Sequence, residues 1–139
     1  MKPIKIDGSC HCGWLTFEAF VNRDNVNVCH CTDCQKLSAS AFRAVIASKE
    51  TDFKLLNDRP KDYIKTSDNE TPRIQSFCPE RRSHIYATSI DNIGNRIFNI
   101  RLGSVVQKDQ FQPKKRVWCR SALPWVFNLD NIPRIDKQA

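Results

Sequence analysis

Cys29, Cys31 and Cys34 put three thiols within six residues, interleaved with the polar side chains of His30, Thr32 and Asp33. A buried cysteine serves as a small hydrophobe, but that role does not suit three cysteines broken up by polar neighbours. One short turn can aim all three sulfurs at a single point. Haem attachment requires Cys-x-x-Cys-His, whereas Gln35 follows Cys34. Plant-type iron–sulfur spacing is Cys-x4-Cys-x2-Cys, which also fails. Soft thiolates suit zinc. Zinc takes about four ligands, with sulfur near 2.3 Å, and three protein ligands with one open position is the catalytic arrangement.

Three of the four remaining cysteines suggest a second site. Cys10-His11-Cys12 is a pair that cannot complete a site alone, and Cys78 opens Cys78-Pro79-Glu80-Arg81. A zinc knuckle reads Cys-x-x-Cys, so Arg81 stands where a fourth sulfur is expected. A guanidinium stays protonated and has no lone pair to offer. His11, His84, Cys119 or water remain as candidates for the fourth position. Cys119, beside Trp118 in an apolar stretch, is otherwise expected to be core packing. His30 could turn toward a substrate, but solvent exposure is the plainer expectation.

Seven cysteines is an odd number, against a fully paired disulfide framework. No run approaches the roughly 18 apolar residues that span a bilayer, and residues 1–7 hold no apolar signal core. A cytoplasmic chain with reduced thiols is therefore expected, with no membrane partner. At 139 residues and 40% hydrophobic content, a single domain over residues 1–139 is expected, with its core at about 8–135. The net charge of +7 favours anionic partners.

The apolar pattern has mostly period two. Residues 14–21 put Leu15, Phe17, Ala19 and Val21 on one face, and 43–47, 73–77, 84–87, 96–102 and 116–119 are further short strand candidates. Such strands, bounded by turn residues, predict a mainly-β fold. One short helix is expected over 33–38 and a turn over 121–125. Residues 65–72 read as a hairpin loop, and the chain beyond Ile135 as a frayed tail.

Gly8-Ser9-Cys10-His11-Cys12-Gly13, the Cys29–Cys34 cluster with Lys36 and Phe42, Phe77-Cys78-Pro79-Glu80 and Leu102-Gly103-Ser104 together resemble the glutathione-dependent formaldehyde-activating enzyme family, whose relatives include centromere protein V. Pro113, Val117, Trp118, Ser121, Pro124 and Trp125 continue the likeness. The resemblance implies a mainly-β fold of several coiled antiparallel sheets, of the Mss4-like zinc-binding type. It implies that Cys29, Cys31 and Cys34 match the catalytic zinc ligands. It also implies that Cys10, Cys12 and Cys78 match three of four structural ones. The chain departs from the family at Arg81, at Arg82 and Ala39 where glycine is usual, at Gln35 where arginine is common, and at Arg116 where histidine is frequent.

The activity so implied is a carbon–sulfur lyase reaction run in the synthetic direction, adding a glutathione-like thiol to formaldehyde or another small aldehyde. Lys36 or Arg43 could hold the carboxylates of the thiol. The rival reading is a non-catalytic zinc module whose basic residues, Arg81, Arg82, Lys114, Lys115, Arg116 and Arg120, meet nucleic acid or a protein. Trp14, Trp118 and Trp125 could then stack on bases, though tryptophans are more often core. No nucleic-acid-binding signature accompanies them. A thiol-based metal or redox buffer is a third reading.

Overall fold

The computed structural model describes residues 2–66 and 71–138. It is mainly β, with two sheets and one short α-helix. The smaller sheet holds β1 (Ile4–Ser9), β2 (Thr16–Val21) and β5 (Phe53–Leu55), in the order β1-β2-β5. The larger holds β3 (Val26–Cys29), β4 (Arg43–Lys49), β6 (Lys61–Lys65), β7 (Arg73–Phe77), β8 (His84–Ser89), β9 (Ile97–Arg101) and β10 (Lys115–Val117). Its order is β10-β3-β4-β9-β8-β7-β6. All its pairs are antiparallel except β10 with β3, which is parallel. A parallel partner requires a long return, and here the chain comes back from β3 to β10 only after crossing the rest of the sheet.

The alternation expected for residues 14–21 holds: Leu15, Phe17, Ala19 and Val21 are all buried. They meet Ile46, Ile85, Phe98 and Ile100 of the large sheet in one apolar cluster. Phe53 joins the two layers, its ring 5.2 Å from Phe17 and 4.9 Å from Phe98. Gly8 is paired with Phe17 across β1–β2, and the Phe17 ring occupies the space that a side chain at Gly8 would need. That close approach brings β1, and with it Cys10, down onto the core.

The expected strands at 43–47, 73–77, 84–87 and 96–102 are present. The stretch 116–119 forms a strand only as far as Val117, because Trp118 turns into the left-handed region with φ 57° and starts a 3-10 turn at Cys119. β1, β3, β5 and β6 escape the sequence reading. β3 and β5 are short, β6 is mostly exposed, and β1, with Gly8 at one of its inward positions, puts only the apolar side chains of Ile4 and Ile6 on that face. β6 and β7 pair in antiparallel register with Lys65 opposite Arg73. The centre of the expected hairpin loop, residues 67–70, lies outside the described residues. Residues 124–131 form 3-10 turns, and 132–138 hold no strand or helix.

Candidate metal centre and basic cavity

The helix α1 (Thr32–Ser38) begins where the cysteine cluster ends. Cys31 is its N-cap, and its sulfur accepts a hydrogen bond from the Cys34 backbone N–H at 3.2 Å. Asp33 in the first turn suits the positive end of the helix. The helix ends at Ala39, which takes φ 52°, ψ 41°, while Ser40 N–H bonds back to the Gln35 carbonyl at 3.2 Å. This is a left-handed cap of the kind glycine fills most easily. Gln35 Nε2 fastens the cluster from behind, donating to the carbonyls of His30 at 2.9 Å and Ser121 at 3.0 Å.

Cys29, Cys31 and Cys34 bring their sulfurs within 4.8 Å of one another. Cys10, Cys12 and Cys78 form a second group of the same kind. In that group Cys10 Sγ lies 3.5 Å from Cys12 Sγ, which lies 3.6 Å from Cys78 Sγ. A tetrahedron with zinc–sulfur bonds near 2.3 Å has sulfur–sulfur edges of about 3.8 Å, so this donor set fits the metal. The backbone amide of Arg81 still donates to Cys78 Sγ at 3.5 Å, and Arg82 N–H to the Cys78 carbonyl at 2.9 Å. Arg82 holds φ 72°. The knuckle thus keeps its turn, including the glycine-type backbone at Arg82, but without the sulfur of a fourth cysteine. Among the described residues, no fourth histidine, cysteine or carboxylate joins either group.

Three expectations change. His30 is fully buried, not solvated. Its ring packs 5.6 Å from Phe42 and 5.9 Å from Phe127, and neither ring nitrogen has a hydrogen-bond partner among the described residues. The strand alternation explains this: Val26, Val28 and His30 share one face and Asn27 and Cys29 the other, so placing Cys29 in the cavity sends His30 inward. Cys119 is exposed, its thiol donating to the Arg116 carbonyl, because the chain leaves the sheet at Trp118. The tryptophans are exposed as well, with Trp118 and Trp125 about half accessible.

In the metal-free chain the Cys29 thiol is pulled down to about 5, chiefly by the Cys34 thiol acting as donor. The Cys31 amide and the charge of Arg43 add to this, and partial burial opposes it. Cys34 is pushed up by the same bond and by burial.

Cys29, Cys31 and Cys34 line a cavity of about 360 Å³ together with Arg43, Arg101 and Trp118. Its floor is one face of the large sheet. Cys29 is opposite Arg43, Val45 opposite Arg101, Ala47 opposite Asn99, Ala87 opposite both Asn99 and Gln75. Gln75 Oε1 accepts from Arg101 Nη2 at 2.6 Å and from Arg43 Nη1 at 3.3 Å. Lys65 closes one side, paired with Asp33 on α1 at 2.9 Å. Arg43 is the basic residue expected from sequence that reaches the cavity, while Lys36 stands exposed on α1. Arg73, Gln75 and Arg101 escape the sequence reading. Their only signal is being polar at alternate positions of expected strands.

A mainly-β, two-sheet fold carrying two three-cysteine groups that could each hold a zinc ion defines a class of small proteins. Within it, residues 5–121 match the model of the family described as glutathione-dependent formaldehyde-activating enzyme, and the chain belongs to that family. No sequence among the curated proteins matches it. A solved structure of a Rhodobacter sphaeroides protein, a structural-genomics target, shares the fold with a TM-score of 0.59. That likeness covers 80% of this chain and 99% of the other at 13% identity. Among the described residues, no helix is long and apolar enough to cross a membrane.

Proposed function

We propose that the chain is a zinc-dependent enzyme of the carbon–sulfur lyase type, joining a glutathione-like thiol to formaldehyde or another small aldehyde at Cys29, Cys31 and Cys34. The observation that carries this reading is the opening of that three-sulfur group into a basic cavity. A zinc ion there would supply Lewis acidity and a fourth position for a thiol. In the reaction a sulfur–carbon bond forms as the carbonyl π bond breaks, and the thiol proton ends on the new hydroxyl.

The chain's own residues serve this chemistry in separate ways. The Cys34 amide and the α1 cap fix the direction of Cys31. The guanidinium of Arg43, opposite Cys29, favours negative charge on sulfur in the cavity. Trp118, about half accessible, forms part of the cavity wall. Cys10, Cys12 and Cys78 would hold a second, structural zinc that ties the end of β1 to the end of β7. The reading implies reduced thiols, hence a cytoplasmic setting, and a single domain over residues 1–139.

Two-dimensional exchange NMR on zinc-loaded protein with glutathione and formaldehyde tests it. Adduct formation should run well above the uncatalysed rate and fall to that rate in Cys29→Ser. A wild-type rate equal to background would defeat the reading.

The second reading, a non-catalytic zinc module, draws on the exposed Trp118 and Trp125 beside Lys114, Lys115 and Arg116. Two of the guanidiniums already cover the chain's own rings: Arg116 lies 4.5 Å over Phe127 and Arg120 5.1 Å over Trp118. Strong, salt-dependent binding of single-stranded DNA would favour this alternative.

A further inference from the structure

Arg43, Arg73 and Arg101 all line the cavity that holds the three sulfurs, and none of them forms an ion pair among the described residues. Arg101 is 6% exposed. Its Nε and that of Arg43 are buried with no hydrogen-bond partner among the described residues. A buried guanidinium without a counter-ion is costly, and the cost rises when like charges are packed together. Burial first, and Arg43 next, pull Arg101 down to about 9; burial and then Arg43 also lower Arg73. The neutral amide of Gln75 accepts two of their bonds but supplies no charge. Lys65 is already matched by Asp33. Zinc on three thiolates would carry a net charge of about −1, which cannot balance three guanidiniums.

This arrangement is unfavourable as a piece of structure and well suited to an anion. Adjacent strands are about 4.8 Å apart, and Arg43 and Arg101 stand on neighbouring strands, with Cys29 one strand further. A carboxylate bridging the guanidiniums would thus lie only a few atoms from the sulfurs. We infer that Arg43, Arg73 and Arg101 form a carboxylate-binding subsite, so that the molecule reaching Cys29, Cys31 and Cys34 is a small acid carrying its thiol or its aldehyde close to the carboxylate. This rests on the reading of the three-sulfur group as the reactive centre and narrows its substrate class. The shared chemistry is the carboxylate, whether it arrives on the thiol or on the carbonyl partner.

The test is equilibrium binding to the zinc-containing protein by calorimetry, with zinc content measured on every sample. Mercaptoacetate is compared with 2-mercaptoethanol, and glyoxylate with glycolaldehyde. At least one acid should bind about tenfold tighter than its neutral analogue, the gain of one good charge-assisted contact. The mercaptoacetate arm puts the carboxylate on the thiol, and the glyoxylate arm puts it on the carbonyl. Arg43→Gln and Arg73→Gln, with zinc retained, should each erase most of that preference. If both acids bind no better than their neutral analogues, the inference fails even where the thiol–aldehyde reaction runs. Should either zinc-retaining variant keep the full preference, its arginine is not part of the subsite, and if both do the inference fails. Acid binding with no adduct formation would leave the subsite standing and defeat the proposed reaction instead.

Discussion

Cys29 on β3 and Arg43 on β4 are direct cross-strand partners, so a thiol and a guanidinium face each other across one rung of the large sheet. The relation is fixed by backbone register and persists whether or not a metal is held. It couples the ionisation of the cluster to a residue fourteen positions away, and it can be read in solution.

In chelator-stripped protein, alkylation of Cys29 should follow a thiolate that appears as pH rises through about 5, far below an ordinary thiol. Arg43→Gln removes one of the stabilising charges and should move that midpoint upward. Peptide mass spectrometry after brief iodoacetamide pulses at graded pH measures both. A midpoint near that of a free cysteine, about 8.5, would contradict the donor role of Cys34 at this site.

The two metal groups should be separable. Cys29→Ser is expected to lower zinc content by one ion per chain while leaving any ion held by Cys10, Cys12 and Cys78. Arg81→Cys supplies the absent sulfur on a knuckle whose backbone is already in place, so zinc at that site should resist chelator markedly longer. Elemental mass spectrometry after timed dialysis decides this; unchanged retention in Arg81→Cys would mean that position 81 cannot reach the ion.

Glycine belongs at two positions where this chain has something larger. Ala39 and Arg82 hold φ of 52° and 72°, a region costing roughly 1 kcal/mol for a residue with a Cβ. Ala39→Gly and Arg82→Gly should each raise stability to urea by about 0.5–1 kcal/mol despite the greater freedom of the unfolded chain. A loss of stability in both would refute the assignment of strain.

Gly8 shows the opposite constraint. A methyl group there meets the Phe17 ring, and overpacking should cost Gly8→Ala about 2 kcal/mol. Pairing it with Phe17→Leu should recover part of the loss, so the double mutant is less damaged than the two single effects added together. Strict additivity in denaturant titrations would speak against the contact.

Glu50 is pulled down to about 2, chiefly by hydrogen bonds from Arg96, with the Gly94 and Arg96 amides assisting against the cost of burial. Its folded value lies below the usual 4.5, so the gain is fully present above that value and is lost as pH falls toward 2. Glu50→Gln should therefore cost about 1 kcal/mol at pH 7 and progressively less in acid. A cost that is constant from pH 7 to pH 2 would show that the charge is not what matters.

The cysteine spacing and the period-two pattern are local facts, and they were legible. They gave the thiol cluster, the helix after it, five strands with part of a sixth, and the family. Cys10, Cys12 and Cys78 were grouped from their residue types and left without a fourth ligand, and the fold brings them together although Cys12 and Cys78 are 66 positions apart. What the sequence left open is exposure and the second face of the sheet. His30 is buried because strand alternation turns it away from Cys29, and Cys119 and Trp118 are exposed because the chain leaves the sheet there. The apolar phase of each strand can be read by eye, since burial selects it. The polar phase looks like ordinary surface until register aligns Arg43, Arg101, Gln75 and Arg73 beside the sulfurs. Register is set by how a whole strand packs against its neighbours, and a slip of one residue would send every one of these side chains to the opposite face. The sequence alone therefore determined that a thiol cluster with metal-ligand spacing exists; only the tertiary structure decided that three arginines, without an ion pair among the described residues, line the cavity beside it.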